Sequence, residues 1–164
     1  MEITQKELRE RFVYNNETGK LIYRKNIGRM RKNTEAGQLK KRGYRHVSIG
    51  GKKFLVHRII WLYVNGAIKT HMEIDHINHI KDDNRICNLR EVTRLENCRN
   101  KSLSKKNTSG YIGVSKERKS KIWNVSFCID NQQKFFGSFR KKEDAILHSK
   151  NVMRKIGFHE NHGC

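Results

Sequence analysis

The sequence has no long apolar run, no proline and no closely paired cysteines. No stretch approaches the roughly eighteen apolar residues of a membrane-spanning helix, and the opening MEITQKELRER lacks the apolar segment of a signal peptide. We therefore expect a cytoplasmic protein without membrane association. The cysteines include no C-x-x-C pair, which argues against a zinc ribbon or a disulfide framework. We expect Cys87 and Cys98 to be buried thiols.

Acidic residues are scarce relative to basic ones. The 164 residues include 36 Lys and Arg against 16 Asp and Glu, which gives a formal net charge of +20 and a pI near 10.1. Such a surface suits nucleic acid or an anionic membrane, and because the charge is spread along the chain, nucleic acid is favoured. With 35% hydrophobic and 32% charged residues, several small units are expected instead of one large core.

Local patterns predict several helices and hairpins. Thr4 with Glu7 forms a capping box at the start of a short helix over residues 3–12. Alternating residues on both sides of Gly50 and Gly51 predict a hairpin, and a helix over 57–65 should end at Gly66. Residues 24–42 are expected to form a loop. Three strands and a helix over 141–157 are expected after a lysine-rich linker. The predicted segments are a small basic unit (1–43), a second module (44–100), the linker (101–109), a sheet–helix module (110–158) and a tail (159–164).

One stretch, EIDHINHIKDDNRICNLREVTRLEN at positions 73–97, runs against the overall charge. It holds six acidic and four basic residues, together with histidines and asparagines. A strand, a loop, a second strand and the start of a helix at Thr93 could bring Asp75, His76, Asn88 and Asn97 together. Histidine can deprotonate water near neutral pH, and an asparagine carbonyl can fix its tautomer. Oxygen ligands from aspartate and asparagine suit magnesium.

At these residues the chain resembles the HNH endonucleases, through VHRIIWLYVNG, IDHIN, KDDNR, NLREVT and EN, over about residues 44–100. The resemblance is closest to phage-type nucleases and homing endonucleases. It implies a ββα-metal nuclease core, with His76 as the general base, Asn88 as its orienting partner, and Asp75 and Asn97 as metal ligands. The cofactor would be Mg²⁺, with Mn²⁺ as the alternative. The substrate would be double-stranded DNA, nicked by a monomer or weak dimer without a protein partner to give 5′-phosphate and 3′-hydroxyl ends.

Two further histidines belong to this resemblance. His57 matches a family histidine before the helix, for which we expect a packing role. His79 stands where the family usually has glycine, so positive φ is expected there at some cost. It could face the phosphate as a second proton donor, or be an exposed loop histidine. In the tail, His159, His162 and Cys164 could bind a metal, but a disordered terminus is the preferred interpretation.

The C-terminal module, about residues 109–157, resembles the plant Apetala-two or ethylene-response-factor DNA-binding domain, through its GV, its tryptophan-bearing strand and its GSF. This implies a three-stranded antiparallel sheet packed on one helix, with the sheet in the major groove. Where that family carries base-reading arginines, this chain has Ile112, Ser115 and Cys128, so backbone anchoring should dominate. The residues expected to bind DNA are Arg118, Lys119, Lys121, Asn124, Ser126 and Gln133.

The whole chain is thus predicted as α+β: a small helix and β-hairpins, then an HNH nuclease core of the ββα-metal type, then the three-stranded sheet and its helix. Two other functions stay open. A non-catalytic DNA-binding regulator would use the sheet module and leave the nuclease module as a scaffold. An RNA- or ribosome-associated basic protein is disfavoured, because the chain lacks an aromatic RNA-binding signature.

Overall fold

The computed structural model describes residues 3–100, 103–104, 106–129 and 132–158. The chain divides into two compact units, Met1–Arg94 and Leu95–Cys164. Both combine helices with small antiparallel sheets, which confirms the predicted α+β class. The predicted tail, 159–164, lies outside the described residues, as do three positions of the predicted linker (101, 102 and 105).

The first unit begins with helix α1, Gln5–Arg11. Its N-cap is Thr4, whose hydroxyl accepts a hydrogen bond from the Glu7 amide while the Glu7 carboxylate accepts from the Thr4 amide at 2.8 Å. This is the predicted capping box, and it satisfies donors that the first helical turn leaves open. Strands β1, Phe12–Asn15, and β2, Lys20–Tyr23, follow as an antiparallel hairpin.

A three-stranded antiparallel sheet comes next, made of β3 (Gln38–Leu39), β4 (Arg45–Ile49) and β5 (Lys52–Leu55) in that order. The turn between β4 and β5 uses Gly50 and Gly51 at φ 55° and 78°, values that glycine adopts without strain. Strand β3 was not predicted, because residues 24–42 lack apolar alternation. Helix α2, Val56–Asn65, ends at Gly66 with φ 88°, as expected.

The acidic stretch folds as a two-stranded antiparallel ladder followed by a short helix. Strand β6, Met72–His76, pairs with β7, Leu89–Thr93, and His76 lies opposite Leu89. Between them lies the β6–β7 loop, residues 77–88, which ends in a 3-10 turn over Ile86–Asn88. Helix α3, Arg94–Cys98, begins one residue after β7 ends. The order strand, loop, strand, helix is the one predicted.

One hydrophobic core joins the predicted segments 1–43 and 44–100. Phe12 and Ile60 are each 0% exposed, and Leu89 from the second ladder belongs to the same cluster. The boundary drawn at residue 43 therefore does not separate two cores. The core's fully or nearly fully buried members are Leu8, Phe12, Leu21, Tyr23, Ala36, Val47, Ile49, Val56, Ile59, Ile60, Ile74 and Leu89.

The second unit is a three-stranded antiparallel sheet with a helix against one face. Strands β8 (Val114–Lys116), β9 (Trp123–Ile129) and β10 (Gln132–Phe139) lie in the order β10-β9-β8. Helix α4, Lys142–Lys155, packs Ala145 and Val152 against Val125 and Phe127. Three strands and one helix are the elements expected here from the sequence.

The lengths of the helices and the exposure of the cysteines test two expectations drawn from composition. No helix within the described part of the chain is long and apolar enough to cross a membrane. Cys87 and Cys98 are both exposed free thiols, so the prediction that they are buried is wrong. Cys87 lies in the 3-10 turn before β7, where its neighbour Asn88 is buried instead.

Candidate active site

The β6–β7 loop is closed by Asn88, which is 6% exposed. Its side-chain oxygen accepts a hydrogen bond from the Asn78 amide at 3.0 Å, and its side-chain nitrogen donates to the Asp83 carbonyl at 2.8 Å. Its own carbonyl accepts from the Ile77 amide at 2.9 Å. Asn88 thus joins the two ends of the loop to its middle. Its predicted role as the orienting partner of His76 stays a prediction.

A carboxylate at Asp83 organises the tip of the same loop. It accepts from the Asn78 side chain at 2.7 Å and from the Arg85 guanidinium at 2.7 and 2.6 Å. These hydrogen bonds, with that of Arg85 the strongest, lower the pKa of Asp83 to about 2. The carboxylate therefore stays ionised at any pH at which the protein would work.

His76 ends strand β6 and is 4% exposed. Its Nε2 lies 3.1 Å from the side-chain oxygen of Asn84, which is itself 3% exposed. The Asn84 side-chain nitrogen donates to the Asp82 carbonyl at 3.3 Å, which fixes the amide so that its oxygen faces the ring. The carbonyl beside this ring nitrogen belongs to Asn84, whereas the sequence predicts such a carbonyl from Asn88.

Burial lowers the pKa of His76, because a charged ring would lose its hydration there. The hydrogen bond that the ring donates to Asn84 acts in the opposite direction, as do the carboxylates of Asp75, Asp83 and Asp82. The ring is consequently neutral near pH 7 and has a lone pair with which to accept a proton. Nearby carboxylates then stabilise the charged form that proton transfer would create.

Two rings pack against His76. His57, from helix α2, is 4% exposed and lies edge-on to His76, with ring centroids 4.8 Å apart. Tyr44 lies 6.0 Å from His76 and 5.5 Å from His57. Burial is the main cause that lowers the pKa of His57 to about 3, and the charge that His76 can acquire contributes in the same direction. His57 is therefore a neutral packing partner, consistent with its predicted role.

Asp75 precedes His76 and, by the alternation of a strand, lies on the opposite face of β6. Its Oδ2 accepts from Nε and Nη2 of Arg90, its cross-strand neighbour, at 3.2 and 2.9 Å. The carboxylate is 12% exposed. Because a carboxylate has about four lone-pair positions, the arginine does not saturate it.

Residues before position 44 brace the β6–β7 loop from outside. The Tyr14 hydroxyl, from β1, accepts from the Ile86 amide at 2.8 Å and donates to the Asn84 carbonyl at 3.1 Å. A Cβ at Gly19 would lie 2.6 Å from the Arg85 nitrogen, so the β1–β2 turn rests directly on this backbone. The loop is held in the same way from the next sheet, where Arg45 donates twice to Asp82 at 2.9 Å.

The remaining predicted site residues take the following positions. Asn97 lies in α3, half-buried, and belongs to the second unit. His79 adopts φ 63°, which confirms the expected positive φ, and it is half-buried, not solvent-exposed. Its amide donates to the His76 carbonyl at 3.1 Å. Sequence reasoning missed Asn84, although it lies within the KDDNR segment, and also Tyr14, seventy residues away along the chain.

The predicted DNA-binding residues of the second unit divide into two groups. Arg118, Lys119 and Lys121 are exposed in the turn between β8 and β9. Asn124, Ser126 and Gln133 lie on the sheet face away from α4, where Gln133 donates to Ser126 at 3.0 Å and Ser138 donates to Asn124 at 2.7 Å. The sheet face also presents Phe135, which is 64% exposed.

The donor chemistry around β6 fits a hard divalent cation better than zinc. Within the described ranges there is no group of three or more His, Cys, Asp or Glu side chains that could hold a metal ion. A carboxylate at Asp75, supplemented by amide or water oxygens, is the kind of donor set that Mg²⁺ takes.

Comparison with known proteins agrees with these features. Residues 54–99 match the family model described as HNH endonuclease, and this range contains Asp75, His76, Asn84 and Asn88 as well as Asn97. A search of curated proteins found no match. A solved structure titled "DNA binding and cleavage by the HNH homing endonuclease I-HmuI" is 28% identical, with a TM-score of 0.45, over 61% of this chain and 57% of that chain. Residues 54–99 are thus similar to the HNH endonucleases, as the motifs predicted.

Proposed function

We propose that this protein is a metal-dependent HNH endonuclease that hydrolyses a phosphodiester bond of double-stranded DNA. The observation that carries the proposal is a buried, neutral His76, held by Asn84 and preceded in strand β6 by Asp75, within the segment that matches the HNH family. The net charge of +20 supports a polyanionic substrate.

In this mechanism His76 removes a proton from the attacking water. Its low exposure keeps the ring neutral, and the neighbouring carboxylates stabilise the imidazolium that forms. A bound Mg²⁺, or Mn²⁺ as the alternative, would stabilise charge on the scissile phosphate. The proposed ligands are Asp75 and Asn97, and the family resemblance supports both assignments.

The product and the assembly are part of the same proposal. Attack of water on phosphorus with loss of the 3′ oxygen leaves 5′-phosphate and 3′-hydroxyl ends. One such site per chain makes a nick the expected product of a monomer. The order β6, β7, α3 supports a ββα-metal arrangement for this core.

We further propose that the second unit holds DNA through its exposed basic turn and sheet face. The three basic side chains between β8 and β9 are exposed and suited to phosphates, while Asn124, Ser126 and Gln133 are suited to groove edges. The resemblance to the Apetala-two domain supports this role. Few guanidinium groups lie on the sheet, so phosphate contacts should supply most of the affinity.

Supercoiled plasmid incubated with the protein, with Mg²⁺ or with EDTA, tests the activity. We expect open-circular DNA only with the metal. His76→Ala should lose at least about 10²-fold in cleavage rate, the lower range for removing a general base, while the affinity for DNA stays the same. His71→Asn is the matched control, because His71 is an exposed histidine at φ 65° and asparagine tolerates that conformation. Full activity of His76→Ala would refute the assignment.

The same assay separates the runner-up function. A non-catalytic DNA-binding regulator would retard the plasmid in a gel without breaking it, with or without metal. Wild-type protein that binds DNA and leaves it intact across Mg²⁺ and Mn²⁺ concentrations would favour the regulator and reject the endonuclease.

A further inference from the structure

The N-terminal hairpin, β1 and β2, contacts the β6–β7 loop of the candidate active site. Tyr14, in β1, is the residue whose hydroxyl bonds both the Ile86 amide and the Asn84 carbonyl, at 2.8 and 3.1 Å. Both partners belong to the loop that carries Asn84. The turn after β1 approaches the same backbone, because Gly19 leaves no room for a Cβ beside Arg85.

Asn84, whose backbone Tyr14 holds, in turn contacts the ring of His76. Its amide oxygen can only accept a hydrogen bond, so the Nε2 that lies 3.1 Å away must donate to it. In a neutral imidazole a proton on Nε2 leaves the lone pair on Nδ1. The Asn84 amide cannot turn over without losing its bond to the Asp82 carbonyl.

We propose that Tyr14 is a positioning residue for His76, acting through Asn84, which holds the ring as its Nε2–H tautomer and makes Nδ1 the proton-accepting atom. Residues before position 44 are then part of the catalytic apparatus of the first unit and not an added basic unit. Calling Nδ1 the proton acceptor rests on the proposed function; the tautomer and its dependence on Tyr14 do not.

Three features of the contact favour positioning over general stability. The hydroxyl bonds the carbonyl of Asn84 itself and the amide of Ile86 two residues further on, so it fixes the backbone that carries the amide side chain. Asn84 and His76 are 3% and 4% exposed, so neither partner can be replaced readily by solvent. Tyr23, in the neighbouring strand, lies within the hydrophobic core with its ring centroid 5.3 Å from that of Phe12, and no hydrogen bond from its hydroxyl to the β6–β7 loop is among the described contacts.

That difference supplies a matched pair of variants. Tyr14→Phe removes the hydroxyl that bonds the loop, whereas Tyr23→Phe removes a hydroxyl from the same hairpin outside the loop contact. Asn84→Ala removes the acceptor itself. For each variant in the full chain, the ¹⁵N resonances of the His76 ring are measured at pH 8, and they are assigned by comparison with a His76→Gln spectrum. Single-turnover cleavage and DNA affinity are measured in parallel.

We expect wild-type His76 to give the pattern of the Nε2–H tautomer. Asn84→Ala should shift that pattern toward a mixture of tautomers, and Tyr14→Phe should shift it in the same direction. Single-turnover cleavage should fall by about 10- to 100-fold, since a misplacement of about 1 Å can cost about 10²-fold, while the Kd for DNA stays within about twofold. Tyr23→Phe should resemble the wild type in all three measurements.

The proposal is overturned if Tyr14→Phe retains both the wild-type ring resonances and the wild-type rate, or if Tyr23→Phe produces the same losses. If Tyr14→Phe fails to fold, Asn84→Ala provides the test. An unchanged tautomer of the His76 ring in Asn84→Ala would reject the proposed positioning mechanism. The ring resonances require no cleavage. A wild-type protein that never cuts DNA would reject the proposed function, yet the spectra would still test whether Tyr14 and Asn84 set the tautomer.

Discussion

Replacing Gly19 by alanine should destabilise the first unit more than any other single methyl group added to its turns. Gly19 has φ +70°, and a Cβ there would lie 2.6 Å from the Arg85 nitrogen and 2.8 Å from the Asn84 carbonyl carbon. Both neighbours are backbone atoms, so relief requires the loop or the hairpin to move. The same substitution at Gly50 is the control, because Gly50 has φ +55° with nothing within 4 Å of the Cβ position.

The two variants separate backbone strain from steric overlap. A left-handed alanine costs about 1–2 kcal/mol relative to glycine, and part of this is offset because alanine restricts the unfolded chain. Gly50→Ala should therefore cost about 1 kcal/mol. Overlap with packed atoms adds about 1–3 kcal/mol at Gly19. For a unit of this size, each 1 kcal/mol lowers Tm by about 4–8 °C.

Urea unfolding of the full chain can measure this difference. The sequence has two tryptophans, so a Trp123→Phe background leaves Trp61 of helix α2 to report on the first unit. Cleavage should also fall in Gly19→Ala, because the displaced backbone carries Asn84. Equal unfolding free energies for the two alanine variants would show that the hairpin does not rest on the loop as described.

Three other outcomes follow from the contacts. Arg45→Met should cost about 1–3 kcal/mol by leaving Asp82 without its two-fold hydrogen bond, and a double-mutant cycle with Asp82→Asn should recover the coupling. The pKa of His57 is about 3 in the folded state and 6.5 in the unfolded state, so the unfolded state binds more protons as the pH falls below 6.5. The free energy of unfolding should therefore drop by up to about 1.4 kcal/mol per pH unit between pH 6.5 and about 4. Urea unfolding measures this drop, which should be smaller in His57→Leu. Replacing the three basic residues of the β8–β9 turn by glutamine should reduce the slope of log Kd against log salt by roughly three, whereas glutamines at Arg154 and Lys155 of α4 should change it less.

Local sequence patterns predicted the elements whose causes are local. Thr4 and Glu7 form their capping box within one helical turn, and Gly50 and Gly51 make a hairpin turn that needs no distant partner. Strand β3 escaped prediction for the opposite reason. It has two residues, both exposed, and forms only because β4 offers an unpaired edge. Propensity and alternation carry no signal for such a strand.

The candidate site was predictable in its residue types and less so in its pairings. His76, Asp75 and Asn88 lie at or beside the β6–β7 ladder, where strand order and family spacing placed them. The carbonyl beside Nε2 comes from Asn84, in a loop rich in turn-forming residues, where the choice between two asparagines depends on how the backbone turns. No periodicity distinguishes them. Asn84 lies within the family segment KDDNR, but the segment does not indicate that its side chain contacts His76.

The contact of Tyr14 with the β6–β7 loop cannot be predicted from composition or from motifs. Tyr14 and Asn84 are joined across a sequence separation of 70, and the contact exists because both segments share the core around Phe12, Leu21 and Leu89. A loop that holds a buried histidine must present unpaired backbone groups, and these need partners wherever water is excluded. Here a tyrosine hydroxyl satisfies an amide and a carbonyl together. The first unit therefore secures its candidate base through a segment that the nuclease motif itself does not include.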